Sequence, residues 1–320
     1  MSTTRTTSNT RRTSYTVVGG QRKDRIRKYS SVVTIMLLNR AGKFDREKVY
    51  EEFKHLDFAE ILCVEGPDSA YDIEERTRRY PDIRFLLLKE TVSVGERINV
   101  GFEETRSRHV VVTWSDIRLS RSVLTPVLIE KVEKSGDLCI VPLMRAGKSM
   151  IPSLHVPLFE GRKLKVMPWH SVTDGMQSIF PFDYCGIYDR VQFQLLGGFD
   201  QDITNPYWQK LDFGFRAFMW GQRLTCDTTF EVSYLSDAAI EDNTPDASYK
   251  IFYLKNVAVK KKEKGGILPG YRFLGYVLKS DTGPIYSFEE FMAVRKWVSA
   301  NRDRFRQDCR GVIASWEIPE

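Results

Sequence analysis

The chain of 320 residues is long enough for one large domain or two small ones, and its 42% hydrophobic and 28% charged residues are ordinary for a globular protein. No apolar run approaches the ~20 residues of a membrane-spanning helix. The N-terminus leads into no hydrophobic region, so we expect no secretory signal. The five cysteines are scattered, odd in number and form no CxxC pair, which disfavours a disulfide framework and a zinc cluster and favours a reducing cytoplasm.

Positive charge is concentrated at the N-terminus. Residues 1–30 hold eight basic residues and one acid, whereas the rest of the chain is close to neutral. Residues 1–29 are rich in Ser, Thr and Arg, so we predict a disordered basic tail. A solvated tail without a role is the simpler interpretation, and a peripheral contact with anionic lipid at the inner face of a membrane is the alternative. Nucleic acid is a disfavoured partner, because the remaining chain lacks clustered basic residues with interleaved aromatics.

Apolar runs alternate with helical patterns in the first half of the chain. The runs predict buried strands at residues 31–38, 59–64, 82–89, 109–114 and 137–143. The segments between them predict helices, after Asp45 and over residues 70–80, 95–106 and 121–134. This alternation is typical of βαβ units, so we expect an α/β fold with a mostly parallel sheet flanked by helices.

The second half of the chain is less regular. Residues 144–180 contain several Gly and Pro residues and are predicted to be rich in loops. A helix is predicted from Asn205 to Trp220, followed by a strand at residues 224–235. After irregular residues, Ser287 begins a final amphipathic helix that extends to about Arg306.

The strand predicted at residues 109–114 leads directly into Ser115 and Asp116. Ligands of open α/β sheets bind at the carboxyl ends of the strands. A carboxylate in that position can hold a divalent cation, and the cation can hold phosphates. A helix or turn cap is an equally simple interpretation of Asp116.

Four segments, in this order, resemble the family 2 glycosyltransferases over roughly residues 31–235. They are V-E-G-P-D at 64–68, G-E-R-I-N-V-G at 95–101, W-S-D at 114–116, and G-G-F-D at 197–200 with L-D-F-G-F-R at 211–216. The resemblance implies the GT-A, Rossmann-like fold, with a mixed, mostly parallel sheet. It implies a transferase domain at residues 30–235 and a helical C-terminal extension at 236–320 that packs on the domain or on a partner.

The resemblance also implies a set of donor-binding residues. They are Glu65, Gly95, Arg97, Asn99, Ser115, Asp116 and Asp183, and Arg118 is added because it is a cation two residues after Asp116. Asp116 would bind Mg²⁺ or Mn²⁺, and Arg118 would share the neutralisation of the phosphates. Gly95 would allow the backbone to approach the donor. Plainer interpretations stay open: a turn residue for Glu65, a solvated charge for Arg97 and strand-edge packing for Asp183.

The catalytic motif departs from the family pattern. Trp114 replaces the first acid of D-x-D, and Gln209 and Lys210 replace the acid pair of the later helix. An inverting transferase needs a carboxylate that takes a proton from the acceptor hydroxyl.

Three side chains are therefore predicted as candidate catalytic residues. Asp212 is the remaining acid of the helical motif, Asp200 would face the acceptor, and His170 is a further candidate base. An ion pair with Arg216 at i+4 is the slightly favoured alternative for Asp212, and a helix N-cap is the alternative for Asp200.

The sequence thus predicts a hexosyltransferase-like enzyme with a divergent motif. It would move a sugar from a nucleotide-diphosphate donor, preferably a UDP-sugar, to a glycan or lipid-linked acceptor, with metal assistance and inversion. The alternative is a catalytically inactive GT-A domain that binds nucleotide sugar as a scaffold or subunit. A homo-oligomer is left open, and we expect a cytoplasmic location, with the inner face of a membrane as the alternative.

Overall fold

The structure is a computed structural model that describes residues 13–20, 33–40, 46–54, 60–69, 72–119, 125–161, 163–170, 172–235, 237–278 and 283–316. The strands within these residues are β1 (Tyr15–Gly19), β2 (Val33–Leu38), β3 (Glu60–Glu65), β4 (Ile83–Leu88), β5 (His109–Trp114), β6 (Ile117–Leu119), β7 (Cys139–Ala146), β8 (Ser149–Ile151), β9 (Leu154–Glu160), β10 (Lys163–Trp169), β11 (Gly186–Asp189), β12 (Leu224–Tyr234), β13 (Lys260–Lys262) and β14 (Gly265–Ile267).

The helices within the same residues are α1 (Arg46–Lys54), α2 (Ile73–Arg79), α3 (Val94–Glu104), α4 (Pro126–Ser135), α5 (Arg190–Leu196), α6 (Pro206–Met219), α7 (Ala247–Phe252), α8 (Arg272–Val277), α9 (Pro284–Ala300) and α10 (Cys309–Ala314). A π-helical turn at Tyr253–Val257 directly follows α7. None of the described helices combines the length and apolar character needed to cross a bilayer.

A ten-stranded mixed sheet forms the centre of the described fold, in the order β1-β4-β3-β2-β5-β11-β7-β12-β6, with β8 added to β7. Strands β2, β3, β4 and β5 are parallel neighbours, and β7 and β12 run in the same direction. Strands β1, β6, β8 and β11 are antiparallel to them. All residues of β2 and β5 are buried, as expected of central strands with helices on both faces. The predicted α/β fold with a mostly parallel sheet is confirmed.

Helix α6 is the central helix of the fold. Asn205 caps it, because its Oδ1 accepts hydrogen bonds from the backbone N–H groups of Tyr207 and Trp208, and Pro206 occupies the first turn. Every residue of α6 from Tyr207 to Met219 is buried. The helix packs against α3 and is also contacted by α7, the π-helical turn and α10, all three of which lie beyond residue 235.

Three segments differ from their sequence-based predictions. The final helix, predicted to begin at Ser287 and extend to about Arg306, begins at Pro284 and ends at Ala300, with Ser287 buried inside it. Residues 15–19 fall within the predicted disordered tail, yet they form β1, which pairs antiparallel with the outer strand β4. The prediction is wrong there, because a short Tyr-Thr-Val-Val run is hidden by the polar composition around it. The rest of residues 1–29 lies almost entirely outside the described residues. Residues 144–180, predicted as loop-rich, contain β8 and the β9–β10 hairpin.

The close packing of α6 gives a direct test of the fold. A Cβ atom at Gly214 would overlap the carbonyl oxygen of Ile179, which is backbone and has no rotamer to change. We therefore expect Gly214→Ala to lower the free energy of unfolding by about 3 kcal/mol, measured by urea denaturation.

Gly275→Ala is the matched control for that substitution. Gly275 also lies in a helix, α8, but an added methyl group would meet open space there. The control should change stability by about 1 kcal/mol at most, in the stabilising direction. Equal effects of the two substitutions would contradict the close packing of α6.

Candidate functional site

Polar side chains converge at the carboxyl edge of the parallel strands. We call six of them the edge cluster: Asn39, Arg40, Glu65, Ser115, Asp116 and Asp183. The first two follow β2, Glu65 ends β3, and the Ser-Asp pair follows β5, so these residues leave three adjacent parallel strands. Asp183 reaches the same edge because it precedes β11, which runs antiparallel to β5.

Arg40 lies at the centre of the edge cluster, and the sequence analysis missed it. Its Nε atom is 3.0 Å from Asp116 Oδ2, and its Nη2 atom donates to Asp183 Oδ2. Its guanidinium carbon lies 4.2 Å from the ring centroid of Trp114. Burial opposes the charged form of Arg40, but the two carboxylates outweigh burial and raise its pKa. Arg40 could have been found from the sequence by its position, because it closely follows β2, a parallel strand that ends at the same edge of the sheet.

Asp183 is held in an uncommon backbone conformation, with φ of 50° and ψ of 29°. Its carboxylate accepts a 2.6 Å hydrogen bond from the hydroxyl of Tyr234, and its carbonyl oxygen accepts one of 2.8 Å from Trp114 Nε1. Burial raises the pKa of Asp183 despite the opposing charge of Arg40. Trp114 therefore supports Asp183 and Arg40 from the position at which the family motif has an acid.

The remaining members of the edge cluster are linked to one another. Asn39 Nδ2 donates a 2.8 Å hydrogen bond to Glu65 Oε2, while Arg76 Nη1 lies 3.2 Å from Glu65 Oε1. Ser115 Oγ donates to Asn39 Oδ1 at 3.3 Å and accepts from the backbone N–H of Arg40 at the same distance. These bonds tie the ends of β2, β3 and β5 into one polar layer.

Arg97 contributes a guanidinium from α3, and Glu65 is the acid whose charge acts on it. Burial lowers the pKa of Arg97, and the charge of Glu65 only partly offsets this. The Nε atom of Arg97 is buried and has no hydrogen-bond partner among the described residues. The guanidinium of Arg97 is thus partly removed from water, and the contacts within the described part of the chain do not fully offset the cost of burying its charge.

Gly95 and Asn99, two other predicted donor residues, instead join α3 to α6 and to the turn before it. The backbone N–H of Gly95 donates a 2.9 Å hydrogen bond to Gln209 Oε1, and a Cβ atom there would overlap Gln209 and Phe199. Asn99 donates from Nδ2 to the carbonyl of Phe199 at 2.7 Å and accepts from the Phe199 N–H at 2.9 Å. A glycine is therefore required at position 95 because the backbone there lies against Gln209 and Phe199 of the protein itself. These contacts of Gly95 and Asn99 disagree with the prediction that both residues lie against the donor.

Arg118 does not belong to the edge cluster. Its side chain is 53% exposed, and its Nη2 atom pairs with Glu52 Oε1 at 3.0 Å. Its neighbours Ile117 and Leu119 are buried, so the alternation of β6 directs Arg118 to the opposite face. The predicted part of Arg118 in phosphate neutralisation therefore disagrees with its placement, and Arg40 is the arginine that lies beside Asp116.

The residues that replace the family's acid pair are both buried and both partnered. Gln209 donates from Nε2 to the carbonyl of Asp200 at 2.8 Å, and its Oε1 atom accepts from the hydroxyl of Tyr184 at 2.8 Å. Lys210 Nζ lies 2.5 and 2.8 Å from the two carboxylate oxygens of Glu241. Glu241, whose side chain is 18% exposed, thus supplies an acid beside the helix position that lacks one. No sequence motif pointed to it.

The predicted catalytic acid Asp212 is fully buried within α6. Its Oδ2 atom pairs with Arg216 Nη2 at 2.8 Å, and its Oδ1 atom accepts a 2.7 Å hydrogen bond from Asn256 Nδ2. Arg216 donates further bonds to the carbonyls of Leu196 and Gly198. This is the i+4 ion pair that the sequence analysis weighed as the alternative, and it leaves Asp212 without access to an acceptor.

Asp200 and His170 also lie apart from a free catalytic position. Asp200 pairs with Lys255 and accepts a 3.0 Å hydrogen bond from the N–H of Asp202. Burial would raise the pKa of Asp200, but the charges of Lys255 and Arg216 prevail and lower it. His170 is exposed just after β10, in a hairpin that is separate from the main sheet.

The edge cluster does not fit a divalent cation. Across the described ranges, no three His, Cys, Asp or Glu side chains are arranged as metal ligands. Asp116 Oδ2 faces Arg40, and Asp183 Oδ2 is shared between Arg40 and Tyr234. Asp116 Oδ1 is buried without a hydrogen-bond partner among the described residues, but the guanidinium of Arg40 beside the same carboxylate would repel a cation that bound there. The predicted metal role of Asp116 therefore disagrees with this donor set.

Comparisons with known proteins identify the fold but not a family. No protein-family model and no curated protein matches the sequence. GalNAc-T7, solved with UDP, GalNAc and Mn²⁺, aligns over 91% of this chain and 59% of its own, with a TM-score of 0.55 and 10% identity. S. aureus TarS aligns over 82% of this chain and 43% of its own, with a TM-score of 0.49 and 13% identity. TarS residues 1–349 with UDP-GlcNAc align over 84% and 73%, with a TM-score of 0.48 and 13% identity.

The similarity to GalNAc-T7 shows the GT-A fold, as the sequence predicted. At 10% identity it shows the fold alone. The chain spans about half the length of TarS and of GalNAc-T7, so their whole activities are not transferred to it.

The environment of Asp212 gives the test of its role. We expect Asp212→Ala to lower the free energy of unfolding by about 3–5 kcal/mol, because Arg216 would remain buried without its carboxylate. Urea denaturation measures this loss. Asp202→Ala is the matched control, since Asp202 is exposed in the turn before α6, and its effect should stay within about 0.5 kcal/mol. An Asp212→Ala protein with unchanged stability would show that the ion pair does not hold α6 in place.

Proposed function

Starting from the GT-A fold, we propose that this protein is a glycosyltransferase. It transfers a sugar from a nucleoside diphosphate donor, a UDP-sugar by preference, to a hydroxyl group of a glycan or lipid-linked acceptor, with inversion at the anomeric carbon. The structure of GalNAc-T7 holds UDP and GalNAc, which supports a donor of this class. The donor would lie along the carboxyl edge of the sheet, against the edge cluster.

The observation that carries the proposal is the incompletely compensated guanidinium of Arg97. A buried polar group without a hydrogen-bond partner is costly, and in native proteins it usually has an external partner. An anionic ligand would satisfy the orphaned Nε atom and offset the burial that lowers the pKa of Arg97. Phosphate oxygens are well suited to arginine, which binds them through paired N–H donors. Arg97 and Arg40 thus give the edge two cations for a departing diphosphate.

Glu241 is the carboxylate assigned to the acceptor side of the site, because it keeps partial access to solvent. Since Asp212 is fully buried, we assign proton removal to Glu241, with Asp200 retained as an acceptor-side contact. In the transfer step the acceptor oxygen forms a bond to the anomeric carbon while the bond to the diphosphate breaks. The hydroxyl proton passes to Glu241, and the diphosphate leaves with the electron pair, its charge balanced by Arg97 and Arg40.

Metal assistance, which the sequence predicted, enters no step of this proposal. GalNAc-T7 was solved with Mn²⁺. Arg40 already lies beside the carboxylates of Asp116 and Asp183, and Tyr234 donates to that of Asp183, so the proposed chemistry relies on side chains of the chain itself.

Arg97→Ala tests donor binding. We expect its affinity for UDP to fall about tenfold, because charge-assisted bonds to the diphosphate are lost. Isothermal calorimetry on the purified full chain measures the change. Arg118→Ala is the matched control: it removes another arginine, exposed and paired with Glu52 outside the edge cluster, and it should bind UDP as the wild type does. If the wild type binds none of UDP, GDP and CDP, the proposed function is wrong.

Glu241→Gln tests catalysis separately from binding. With a donor and acceptor pair found by screening, we expect kcat to fall about 100-fold or more while UDP affinity is preserved, since an amide cannot accept the proton. Asp242→Asn is the control, because Asp242 is the adjacent acid, is exposed and accepts a hydrogen bond from the N–H of Thr244.

One alternative function is favoured by a specific observation. The replacement of the family acids by Gln209 and Lys210 favours an inactive domain that binds nucleotide sugar as a scaffold or subunit. A wild type that binds UDP yet turns over no donor in a broad screen would support that alternative.

A further inference from the structure

We propose that Arg40 is a built-in counter-cation that replaces the divalent metal ion, so that this protein binds the diphosphate of its donor without metal. The inference rests on the proposed function and deepens it, since it says how the same site neutralises its ligand. Three properties of the edge cluster carry it: the order of charges from core to solvent, the pairing of those charges, and the support beneath the guanidinium.

In the edge cluster, the side chain of Arg40 lies closer to solvent than the two carboxylates with which it pairs. The side chain of Arg40 is 29% exposed, whereas those of Asp116 and Asp183 are 3% and 7% exposed. A ligand that approaches from solvent therefore meets the guanidinium first. A metal ion would reach the two carboxylates only by displacing Arg40, whereas a diphosphate can bind to Arg40 where it stands.

Each carboxylate of the edge cluster is already acted on by at least one guanidinium group. Three carboxylates lie in the edge cluster, and three guanidinium groups act on them: Arg40 on Asp116 and Asp183, and Arg76 and Arg97 on Glu65. A site built for a divalent cation presents uncompensated carboxylates to it. Arg76 also pairs with Asp72 at 2.7 Å, but none of the three carboxylates of the edge cluster is left without a guanidinium.

The guanidinium is held by more than its ion pairs. The ring of Trp114 lies 4.2 Å from it, in the range in which a cation is attracted to an aromatic face. Trp114 is itself fixed, since its Nε1 atom donates to the carbonyl of Asp183. The tryptophan at the first position of the two-acid motif therefore has a role in this arrangement: it supports an arginine where that motif supports a metal.

The test is a titration of UDP into the full chain by calorimetry, first with EDTA and then with excess Mn²⁺. We expect the wild type to bind UDP in EDTA and to change its Kd by less than about threefold when Mn²⁺ is added. We expect Arg40→Ala to bind UDP at least about tenfold more weakly in EDTA, and to regain affinity in Mn²⁺, because Asp116 and Asp183 are then uncovered.

A second variant, Arg40→Lys, keeps the test valid if Arg40→Ala does not fold. Arg40→Lys keeps a charge near both carboxylates but loses the planar fork, so we expect it to remain folded and to bind UDP with intermediate affinity in EDTA. Arg118→Ala again serves as the control for removal of a basic residue. Thermal unfolding of each variant without nucleotide reports whether it is folded.

The outcomes separate the inference from the proposed function. Binding of UDP to the wild type only when Mn²⁺ is present would overturn the inference and leave the proposed function standing. Binding that is equal in EDTA for the wild type and for folded Arg40→Lys and Arg40→Ala would overturn it too. Failure of UDP, GDP and CDP to bind under either condition would overturn the proposed function, and the inference with it.

Discussion

A helix that is buried on every side yet carries charges is the constraint on which this structure depends. Helix α6 contains four buried polar side chains, namely Gln209, Lys210, Asp212 and Arg216. A buried charge without a partner costs several kcal/mol, so each charged side chain here requires a partner. Three partners come from beyond residue 235: Glu241 for the lysine, Asn256 for the aspartate, and Lys255 for Asp200 at the adjoining turn. The segment that follows the sheet is therefore required to complete the interior of the fold.

The same principle explains the surroundings of Trp114 and Lys210, which stand where the motifs of the resembled family have acids. Where Trp114 replaces an acid, Arg40 lies on its ring and occupies the remaining carboxylate. Where Lys210 replaces an acid, Glu241 restores a carboxylate next to it. Each replacement taken singly would leave an uncompensated charge or an unfilled position. Taken as pairs, they preserve a neutral, hydrogen-bonded interior, and such pairs are expected to change jointly.

Local patterns predicted the architecture well, because strand runs and helix periodicity are properties of neighbouring residues. They also placed Asp116 at the carboxyl end of a strand, whereas Glu65 and Asp183 were selected from the family resemblance. They failed for side-chain partners, which are set by tertiary packing: Arg40 meets Asp183 across 143 residues of sequence. The direction of Arg118 was readable in principle, because apolar residues on both sides of it mark the opposite face of a strand.

The glycine-containing helix motif shows a different limit of sequence reasoning. Asn99 and Gly95 match a pattern that the resemblance connects with the donor, yet both bond to the segment around Phe199 and Gln209. A motif records that certain residue types are needed at a certain spacing, but not whether they contact a ligand or hold two helices together. Only the three-dimensional contacts distinguish these two reasons.

Strand β1 has a consequence for how this chain behaves in concentrated solution. The outermost strand of a parallel block exposes a row of unpaired N–H and C=O groups, which can recruit a strand from a second molecule. Strand β1 covers that row on β4, and the hydroxyl of Tyr15 secures it to Glu104. A segment whose composition suggests a tail without a role thus forms the edge strand of the described sheet, and its length of five residues limits the row of groups that a second molecule could pair with.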